Sequence, residues 1–310
     1  MARPIKLDSS PLLHAIDGEG RSAAVDPSVV TERRLGALLI KQGRMSHDQV
    51  ETVLRHQRSS VPARPFGQCA IELGLLSQSQ VDHAIAIQHD SLFVPEGERH
   101  LFGDDLVVLH DPFSEQAEAL RGVRSQLTMR WFDSDLEKRT LAIVSPSAGD
   151  GRTHVCANLA ILFAQLGEPT LIVDADLRGG RIHTLFGVDN AVGLSSHLSR
   201  RTTAAPIREV PGIDYLHVLP CGPLPPNPQE LLSRAQFALL LEELAHVYPY
   251  ILIDTPAAAH FGESATIAVR SSGCLLVTRR HRTRIADAQM LTDGLNKLSA
   301  QVVGAVVNDY

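Results

Sequence analysis

Six short runs of apolar residues alternate with stretches of helical periodicity along the C-terminal two thirds of the chain, and this pattern constrains the fold most. Each run is apolar throughout instead of alternating with polar residues, which is typical of parallel strands covered by helices on both faces. We therefore predict an α/β domain with a doubly wound, mostly parallel sheet. The predicted strands are TLAIVS at 140–145, TLIVDA at 170–175, YLHVLP at 215–220, YILIDT at 250–255, CLLVT at 274–278 and QVVGAVV at 301–307.

The first predicted strand leads through a glycine-containing loop into an amphipathic helix, which is where a phosphate-binding loop is expected. Gly149 and Gly151 allow the backbone to turn and to present N–H groups to an anion at the helix N-terminus. Thr153 stands where a hydroxyl binds Mg²⁺, whereas Arg152 replaces the usual lysine and Pro146 the first glycine. From these residues alone, a glycine-rich turn without a ligand remains an alternative.

Three aspartates lie at or just beyond the ends of predicted strands. Asp174 ends the second strand and Asp176 follows it, while Asp254 ends the fourth. The carboxyl ends of parallel strands face the ligand crevice of an open α/β sheet. A single strand-end aspartate is often only a helix cap, but three of them after a phosphate loop are not explained in that way. The sequence therefore predicts a nucleotide site with Mg²⁺.

Four segments between residues 111 and 310 resemble the successive motifs of the bacterial tyrosine kinases of polysaccharide export, especially the exopolysaccharide chain-length-determinant kinases of the EpsG type. They occur in the family's order, as SPSAGDGRTHVCANLA, LIVDADLRGGRIHTLFG, LPCGPLPPNPQELL and ILIDTPAAAHFGESATIA. The resemblance implies a P-loop fold, autophosphorylation with ATP and Mg²⁺, and control of polymer length with a membrane co-polymerase partner. It also implies a cytoplasmic protein held at the inner face of the plasma membrane through that partner.

The same resemblance assigns roles to residues of the motifs. Asp176 matches the catalytic base, and Asp254 with Thr153 matches the metal side of the site. Asp174 matches the same motif as Asp176, as a catalytic and metal-binding residue, and the sequence does not separate the two roles. Arg152 matches the catalytic cation of the loop. The residues matching the nucleotide-binding loop are Ala148, Gly149, Asp150, Gly151, Arg152, Thr153 and His154.

A charged motif precedes the first strand, and an arginine-rich run follows the fifth. Glu118, Arg121 and Arg124 match the family's ExxRxxR oligomerisation motif and, at a spacing of three, share one face of a helix. The resemblance implies a homo-oligomer, while a solvated pattern of alternating charge is the alternative. The run Arg279–Arg282 is typical of a solvated loop rather than of a site.

Three departures from the family pattern weaken the expectation of kinase activity. Arg152 carries a planar fork that reaches a different point from a lysine ammonium. The chain has four tyrosines, and only Tyr310 stands where the family carries a terminal tyrosine cluster, so it is the candidate phosphoacceptor. Gly180 replaces a usual proline. A nucleotide-binding regulatory module with little phosphotransfer is therefore the alternative function.

Two related classes of P-loop protein do not fit the sequence. Partitioning ATPases carry an additional lysine early in the loop, where this chain has Ser147. Iron–sulfur carriers need a CxxC pair, and the four cysteines here are scattered. The same scatter gives no indication of a disulfide framework.

An internal repeat precedes the α/β pattern, because residues 34–57 and 65–88 match at an offset of 31. Each copy predicts a helix, a turn at Gly43 or Gly74, and a second helix that begins after Ser46 or Ser77 as N-cap. The sequence therefore predicts a small all-helical repeat domain before the P-loop domain.

The repeat resembles the N-terminal domain of type II secretion and pilus ATPases, some of which bind cyclic di-GMP through two copies of such a motif. The second copy has Pro65 and Phe66 in place of arginine and leucine, which removes a charge-assisted contact. A helical docking domain without a ligand is the alternative. The residues matching the ligand motif are Arg34, Leu35, Gly36, Gly43, Gln57, Gly67, Gly74 and Gln88.

Composition bounds the remaining possibilities. A length of 310 residues favours two domains, and the net charge of −6 gives no general attraction to nucleic acid. No apolar run reaches the length needed to cross a bilayer, so direct membrane insertion is not expected. We predict a mobile arm at 1–30, the repeat domain at 31–90, a linker at 91–110 and the nucleotide-binding domain at 111–310.

Overall fold

The computed structural model describes residues 35–41, 43–59, 62, 64–78, 80–81, 84–85, 100–133, 140–259 and 262–309. The chain divides into two compact units, residues 1–75 and 76–310, so the division falls inside the second copy of the repeat. Among the described residues, no helix combines the length and apolar character needed to span a bilayer. The predicted mobile arm at 1–30 lies outside the described residues.

The first unit is helical. Residues 35–41 form a helical segment, which is followed by helix α1 (His47–Ser59) and helix α2 (Phe66–Glu72). Gly36 lies at a close contact between the segment 35–41 and α1, because a Cβ added there would be 2.9 Å from Val50 Cγ1. Phe66 and Val53 are fully buried in this unit.

The two copies of the repeat end their first helices in the same way. Gly43 and Gly74 adopt left-handed φ angles of 67° and 66°. Their N–H groups, and those of the following residues, donate to carbonyl oxygens three and five residues earlier. This is the Schellman motif, in which glycine tolerates the left-handed conformation that ends a helix.

The two copies also begin their second helices in the same way. Ser46 Oγ accepts from Gln49 N at 3.2 Å, while Gln49 Oε1 accepts from Ser46 N at 2.8 Å. Ser77 and Gln80 form the same reciprocal pair at 3.3 and 2.9 Å. These capping boxes confirm the predicted N-cap positions and explain why the spacing of serine and glutamine is repeated.

The second unit contains a seven-stranded sheet in the order β3-β4-β2-β5-β1-β6-β7, which confirms the predicted doubly wound architecture. All neighbouring strands are parallel except the short β3, which pairs antiparallel with β4 and was not predicted. The strands are β1 (Thr140–Val144), β2 (Thr170–Asp174), β3 (Arg208–Glu209), β4 (Leu216–Leu219), β5 (Tyr250–Asp254), β6 (Gly273–Arg279) and β7 (Val302–Asn308).

Helices cover both faces of this sheet, so successive residues of the central strands enter opposite cores. Leu141 and Ile143 face one core, and Ala142 and Val144 face the other. A five-residue π-helix, Thr128–Phe132, directly follows the helix Glu115–Leu127. The helices are α3 (Val107–His110), α4 (Glu115–Leu127), α5 (Arg152–Ala164), α6 (Ile182–Leu185), α7 (Leu194–Leu198), α8 (Pro228–Ser233), α9 (Ala235–Ala245), α10 (Glu263–Arg270) and α11 (Ile285–Lys297).

Residues 100–110, predicted as the end of a linker, belong to the core of the second unit. Phe102, Leu106 and Leu109 are buried in the cluster that packs on β1 and α5. Val108 N donates to the buried Asn158 side chain at 3.0 Å. The linker prediction is wrong for this segment, because its apolar side chains are buried in the core instead of forming a solvated connection.

Candidate active site

The loop between β1 and α5 has the backbone geometry of an anion-binding turn. Gly149 and Gly151 have φ angles of 79° and 100°, which only glycine adopts without strain. Gly151 is also the N-cap residue of α5, so the loop brings successive N–H groups to a helix N-terminus. Ala148 and Gly149 are exposed, which leaves this part of the loop open to a ligand.

Asp150 supports the loop from beneath instead of facing a ligand. The residue is fully buried, and its carboxylate accepts from Ser147 N and from Thr283 Oγ1, both at 2.8 Å. Its carbonyl oxygen accepts from Asn308 Nδ2 at 3.3 Å. Asp150, predicted to contact nucleotide, therefore fixes the loop through its side chain to the segment after β6 and through its carbonyl oxygen to the end of β7.

Arg152 also points into the protein. Its Nε donates to Thr255 O at 2.8 Å, and its Nη1 donates to Ser147 O at 2.8 Å and to Ser145 Oγ. The side chain is nearly buried and satisfied by oxygens of the loop and of the segment after β5. The structure thus places the guanidinium, expected at the phosphates, as a brace beneath the loop.

The strand-end aspartates meet because β2 and β5 are neighbours. Asp174 and Asp254 are register partners, and both are buried. Thr153 Oγ1, at the start of α5, donates to Asp254 Oδ2 at 2.7 Å. Ile182 N donates to Asp174 Oδ2 at 3.2 Å. Oδ1 of each aspartate is buried without a hydrogen-bond partner among the residues that the structure describes.

Burial controls the titration of this pair. Desolvation raises the pKa of Asp254 to about 6, partly offset by the hydroxyl of Thr153 and the charge of Arg152. Desolvation, followed by repulsion from Asp254, raises the pKa of Asp174 well above its ordinary value. Two buried carboxylates on adjacent strands disfavour each other's charge, so a bound cation would stabilise their ionised forms.

Asp176 lies beside the pair, since its charge adds to the repulsion on both Asp174 and Asp254. Its Oδ1 accepts from the N–H groups of Arg178 and Gly179 at 3.1 and 3.0 Å. Unlike its two neighbours, Asp176 is only half-buried. An aspartate held in such a turn presents its other oxygen, Oδ2, in a fixed direction.

The donor set fits a hard divalent cation. Two buried carboxylates with an unpartnered oxygen each, and one threonine hydroxyl, are the oxygen ligands that Mg²⁺ prefers. They lie at the carboxyl ends of two adjacent strands, and the phosphate loop follows the next strand, β1. Thr153, Asp174 and Asp254 are therefore the residues that would hold the ion beside the phosphates of a nucleotide.

His154 contributes to packing near the loop. Its Nε2 lies 3.1 Å from the Gln116 amide, and its Nδ1 lies 3.4 Å from Asn158. Burial lowers the pKa of His154, so the neutral imidazole is favoured. These contacts direct the imidazole ring toward Gln116 on α4 and Asn158 on α5. The ring therefore does not point to the nucleotide, where the sequence predicted it.

The ExxRxxR residues lie on α4 and contact their own unit. Arg121 bonds Glu118 at 3.1 Å and the Pro112 carbonyl at 2.6 Å. Arg124 donates to Leu162 O at 3.1 Å, and burial lowers its pKa. The Glu118 side chain is 75% exposed.

The residues matched to cyclic di-GMP have structural contacts of their own. Gly43 and Gly74 end helices, and Gln57 Nε2 donates to Arg64 O at 2.9 Å. Leu35 and Gly67 are buried. Arg34, Gln88 and the candidate phosphoacceptor Tyr310 lie outside the described residues.

The arginine-rich run after β6 was missed as part of the site. Arg279 Nη1 donates to Gly149 O at 3.3 Å, and Arg282 packs so closely that a Cβ at Gly149 would lie 2.9 Å from its Nη1. Thr283 holds Asp150, as described above. The cluster of arginines was the only sequence signal, because these contacts join residues about 130 positions apart.

Glu263 was also missed, and the contact made by Gly180 was not predicted. Glu263, at the start of α10, is buried and accepts twice from Arg178, at 3.0 and 2.8 Å. Gly180 lies against Asp174, since a Cβ there would be 2.7 Å from the carboxylate carbon. The departure from the family's proline therefore matches a close approach that a residue with a Cβ would disturb.

Comparisons with known proteins agree with the P-loop fold of the second unit. A family model described as "ParA: NUBPL iron-transfer P-loop NTPase" matches residues 137–309. The putative tyrosine-protein kinase CapB of Staphylococcus aureus is 33% identical over 201 residues, which cover 64% of this chain and 87% of CapB. The tyrosine-protein kinase YwqD of Bacillus subtilis is 30% identical over 204 residues, covering 66% and 85% of the two chains. The solved kinase domain of the Escherichia coli tyrosine kinase ETK superposes with a TM-score of 0.62 at 28% identity, covering 66% and 79%.

Proposed function

Since the chain belongs to the bacterial tyrosine-protein kinases, enzymes with a ParA-type P-loop fold, we propose that it is an ATP- and Mg²⁺-dependent tyrosine autokinase of exopolysaccharide synthesis. The observation that carries this proposal is the buried pair Asp174 and Asp254, each with an unpartnered oxygen, beside the Thr153 hydroxyl. Phosphoryl transfer depends mainly on positioning and on neutralising charge, and this arrangement supplies both.

The roles follow from burial and hydrogen bonding. Asp254 and Thr153, with Asp174 beside them, would hold Mg²⁺. The bound ion would supply charge neutralisation on the phosphates. Asp176, the half-buried member, takes the proton of the tyrosine hydroxyl on Oδ2 while its Oδ1 stays bonded to the backbone. The phenolic oxygen then attacks the γ-phosphorus, and ADP leaves.

The phosphoacceptor is restricted by burial. Tyr248 and Tyr250 are packed in the two cores, whereas Tyr215 is 52% exposed. Tyr310 is the candidate that the resemblance to the kinase family gives. We propose Tyr310 as the modified residue, and phosphopeptide mapping of Tyr310→Phe and Tyr215→Phe distinguishes the two.

A kinase assay with labelled ATP and phosphotyrosine detection tests the proposal. The full chain with Mg²⁺ and its membrane partner is expected to label itself, and Asp176→Asn to abolish labelling. Asp293→Asn changes an exposed carboxylate of α11 and serves as the matched control. Absence of phosphotyrosine in the wild-type chain with its partner would sink the proposal, and labelling that survives in Asp176→Asn would remove Asp176 as base.

The partners are proposed from the same family. We propose a membrane polysaccharide co-polymerase as the partner that holds the chain at the inner membrane face, and a homo-oligomer formed through α4. The exposed Glu118 supports the second part, because it leaves a carboxylate available to another subunit. Sedimentation of the wild-type chain and of Glu118→Lys tests it, and equal masses of the two would argue against an α4 interface.

One observation favours the alternative of a nucleotide-binding regulator with weak phosphotransfer. The guanidinium of Arg152 is occupied by Ser147 O and Thr255 O, so it does not extend toward a ligand. In that case the chain binds ATP with Mg²⁺ but transfers phosphate slowly. Nucleotide binding by calorimetry together with undetectable phosphotyrosine would select this alternative.

A further inference from the structure

Three different metal-ligating side chains converge at the strand-end site. Asp174, His183 and Cys221 each offer one ligand atom, and these atoms all lie within 4.8 Å of one another. Carboxylate, imidazole and thiol together are unlike the all-oxygen set that Mg²⁺ prefers. The mechanism proposed above uses Asp174 but assigns no task to the histidine or to the thiol.

The topology brings the three residues together from separate segments. Asp174 ends β2, and Cys221 follows β4, which pairs with β2 in parallel register. His183 lies in the short helix α6. The Cys221 segment is fixed on both sides, because its carbonyl accepts from Ser195 N at 2.9 Å and Gly222 N donates to Asn190 Oδ1 at 2.6 Å.

Two buried polar atoms of the cluster, one on Asp174 and one on His183, lack partners among the described residues. Asp174 is fully buried, and its Oδ1 has no hydrogen-bond partner. The Nδ1 atom of His183 is likewise buried and unpartnered. Such atoms cost free energy when left unpaired, and a cation placed between them would remove that cost. The half-buried position of His183 leaves a path from solvent.

We propose that Asp174, His183 and Cys221 form a site for a thiophilic divalent cation of the Zn²⁺ class, with a fourth position open to water. Thiolate, imidazole and carboxylate are the usual ligands of four-coordinate zinc. Binding therefore forms the sulfur–metal bond and releases the thiol proton to solvent.

The site would also regulate the enzyme, a part that rests on the proposed kinase function. Asp174 belongs to both donor sets, so a cation bound through Cys221 and His183 withdraws it from the nucleotide site. Zinc is thus an inhibitor that acts through a shared carboxylate. Cys221 and His183 lie outside the catalytic set, which allows inhibition to be removed while activity is kept.

The binding experiment uses the full chain, stripped with a chelator and titrated with Co²⁺ and then Zn²⁺. We expect one equivalent of Co²⁺ to produce a thiolate-to-cobalt charge-transfer band that Zn²⁺ removes. Cys221→Ser should abolish the band and weaken Zn²⁺ binding by at least about 100-fold, since outer-shell changes alone cost about 10- to 100-fold. Cys274→Ser removes another buried thiol and should leave the band unchanged. A band that survives in Cys221→Ser, or none in the wild type, would overturn the site.

The regulatory experiment measures autophosphorylation at fixed Mg²⁺ and ATP with increasing Zn²⁺. Wild type and Cys274→Ser should lose activity in proportion to the Zn²⁺ occupancy of the site, which the loss of the cobalt band measures. Cys221→Ser should keep its basal rate and resist inhibition by Zn²⁺. Inhibition that is equal in wild type and Cys221→Ser would overturn the regulatory role. If the chain has no kinase activity, the proposed function fails, but the cobalt band still decides whether the metal site exists.

Discussion

In the helical repeat, the polar side chains and glycines of the motif satisfy one another, whereas at the strand ends the motif aspartates keep buried oxygens without partners. Ser46 and Gln49 exchange two hydrogen bonds, and Gly43 ends a helix. Asp174 and Asp254 instead have raised pKa values and an unpartnered Oδ1 each. Residues repeated for folding are satisfied within the chain, whereas residues kept at an energetic cost indicate a ligand.

This difference predicts opposite effects on the free energy of unfolding when an unpartnered carboxylate and a hydrogen-bonded one are replaced. The largest effect is expected for Asp254→Asn. We expect phosphotransfer to fall by about 10³-fold, since a ligand of the metal is lost. The free energy of unfolding without Mg²⁺ should rise by about 3 kcal/mol at pH 7.5, because a pKa raised from 3.8 to about 6 corresponds to a penalty of that size. Because the fold raises the pKa of this carboxyl, the folded state loses stability as the pH rises from the ordinary pKa of an aspartate to about 6. Asparagine does not ionise and therefore avoids this loss.

Asp150→Asn is the matched control, because Asp150 is equally buried but accepts two hydrogen bonds. An asparagine oxygen replaces only one acceptor, so the free energy of unfolding should fall by about 1–2 kcal/mol. Urea unfolding of both variants gives the comparison. A stability loss in Asp254→Asn equal to that in Asp150→Asn would contradict the distinction between unsatisfied and satisfied groups.

Arg152 is a satisfied group inside the strand-end site, and its removal is the second test. Arg152→Met leaves Thr255 O and Ser147 O without their donor, so we expect the free energy of unfolding to fall by about 3 kcal/mol. Arg152→Lys, which keeps one donor group, should lose less. Chemical denaturation measures both. An unchanged stability in Arg152→Met, together with a large loss of ATP affinity, would mean that the guanidinium binds phosphate instead of bracing the loop.

The sequence predicted the fold and the proximity of the aspartates. It did not predict the directions of the side chains around them. Apolar runs predicted the strands, and the carboxyl-end rule brought Asp174 and Asp254 to one edge. The inward direction of Arg152 was not predictable, because its acceptor Thr255 O is contributed by a distant strand end. The contacts of Arg279 and Thr283 depend in the same way on the neighbouring strands β1 and β6.

The pH dependence of nucleotide binding is the third test. Mg²⁺ binds the ionised carboxylate, so binding below the Asp254 pKa of about 6 must release a proton. We expect the affinity for ATP with Mg²⁺ to fall by up to about tenfold per pH unit below pH 6. Calorimetry in buffers of different ionisation enthalpy counts the proton. Equal affinity at pH 5 and pH 7.5, with no proton released, would show that the pair is ionised before the cation arrives.

The smallest test returns to the repeat, where the motif residues should matter for stability alone. Gly43→Ala and Gly74→Ala place a Cβ in a left-handed conformation, so each should lower the free energy of unfolding by about 1 kcal/mol. Gly294→Ala, in the last turn of α11 with open space around an added Cβ, is the control and should raise it by up to about 1 kcal/mol. Kinase activity should be unchanged in all three. If titration with cyclic di-GMP gives binding heat in the wild type and none in Gly43→Ala, the glycine has a role in ligand binding that the helix cap does not explain.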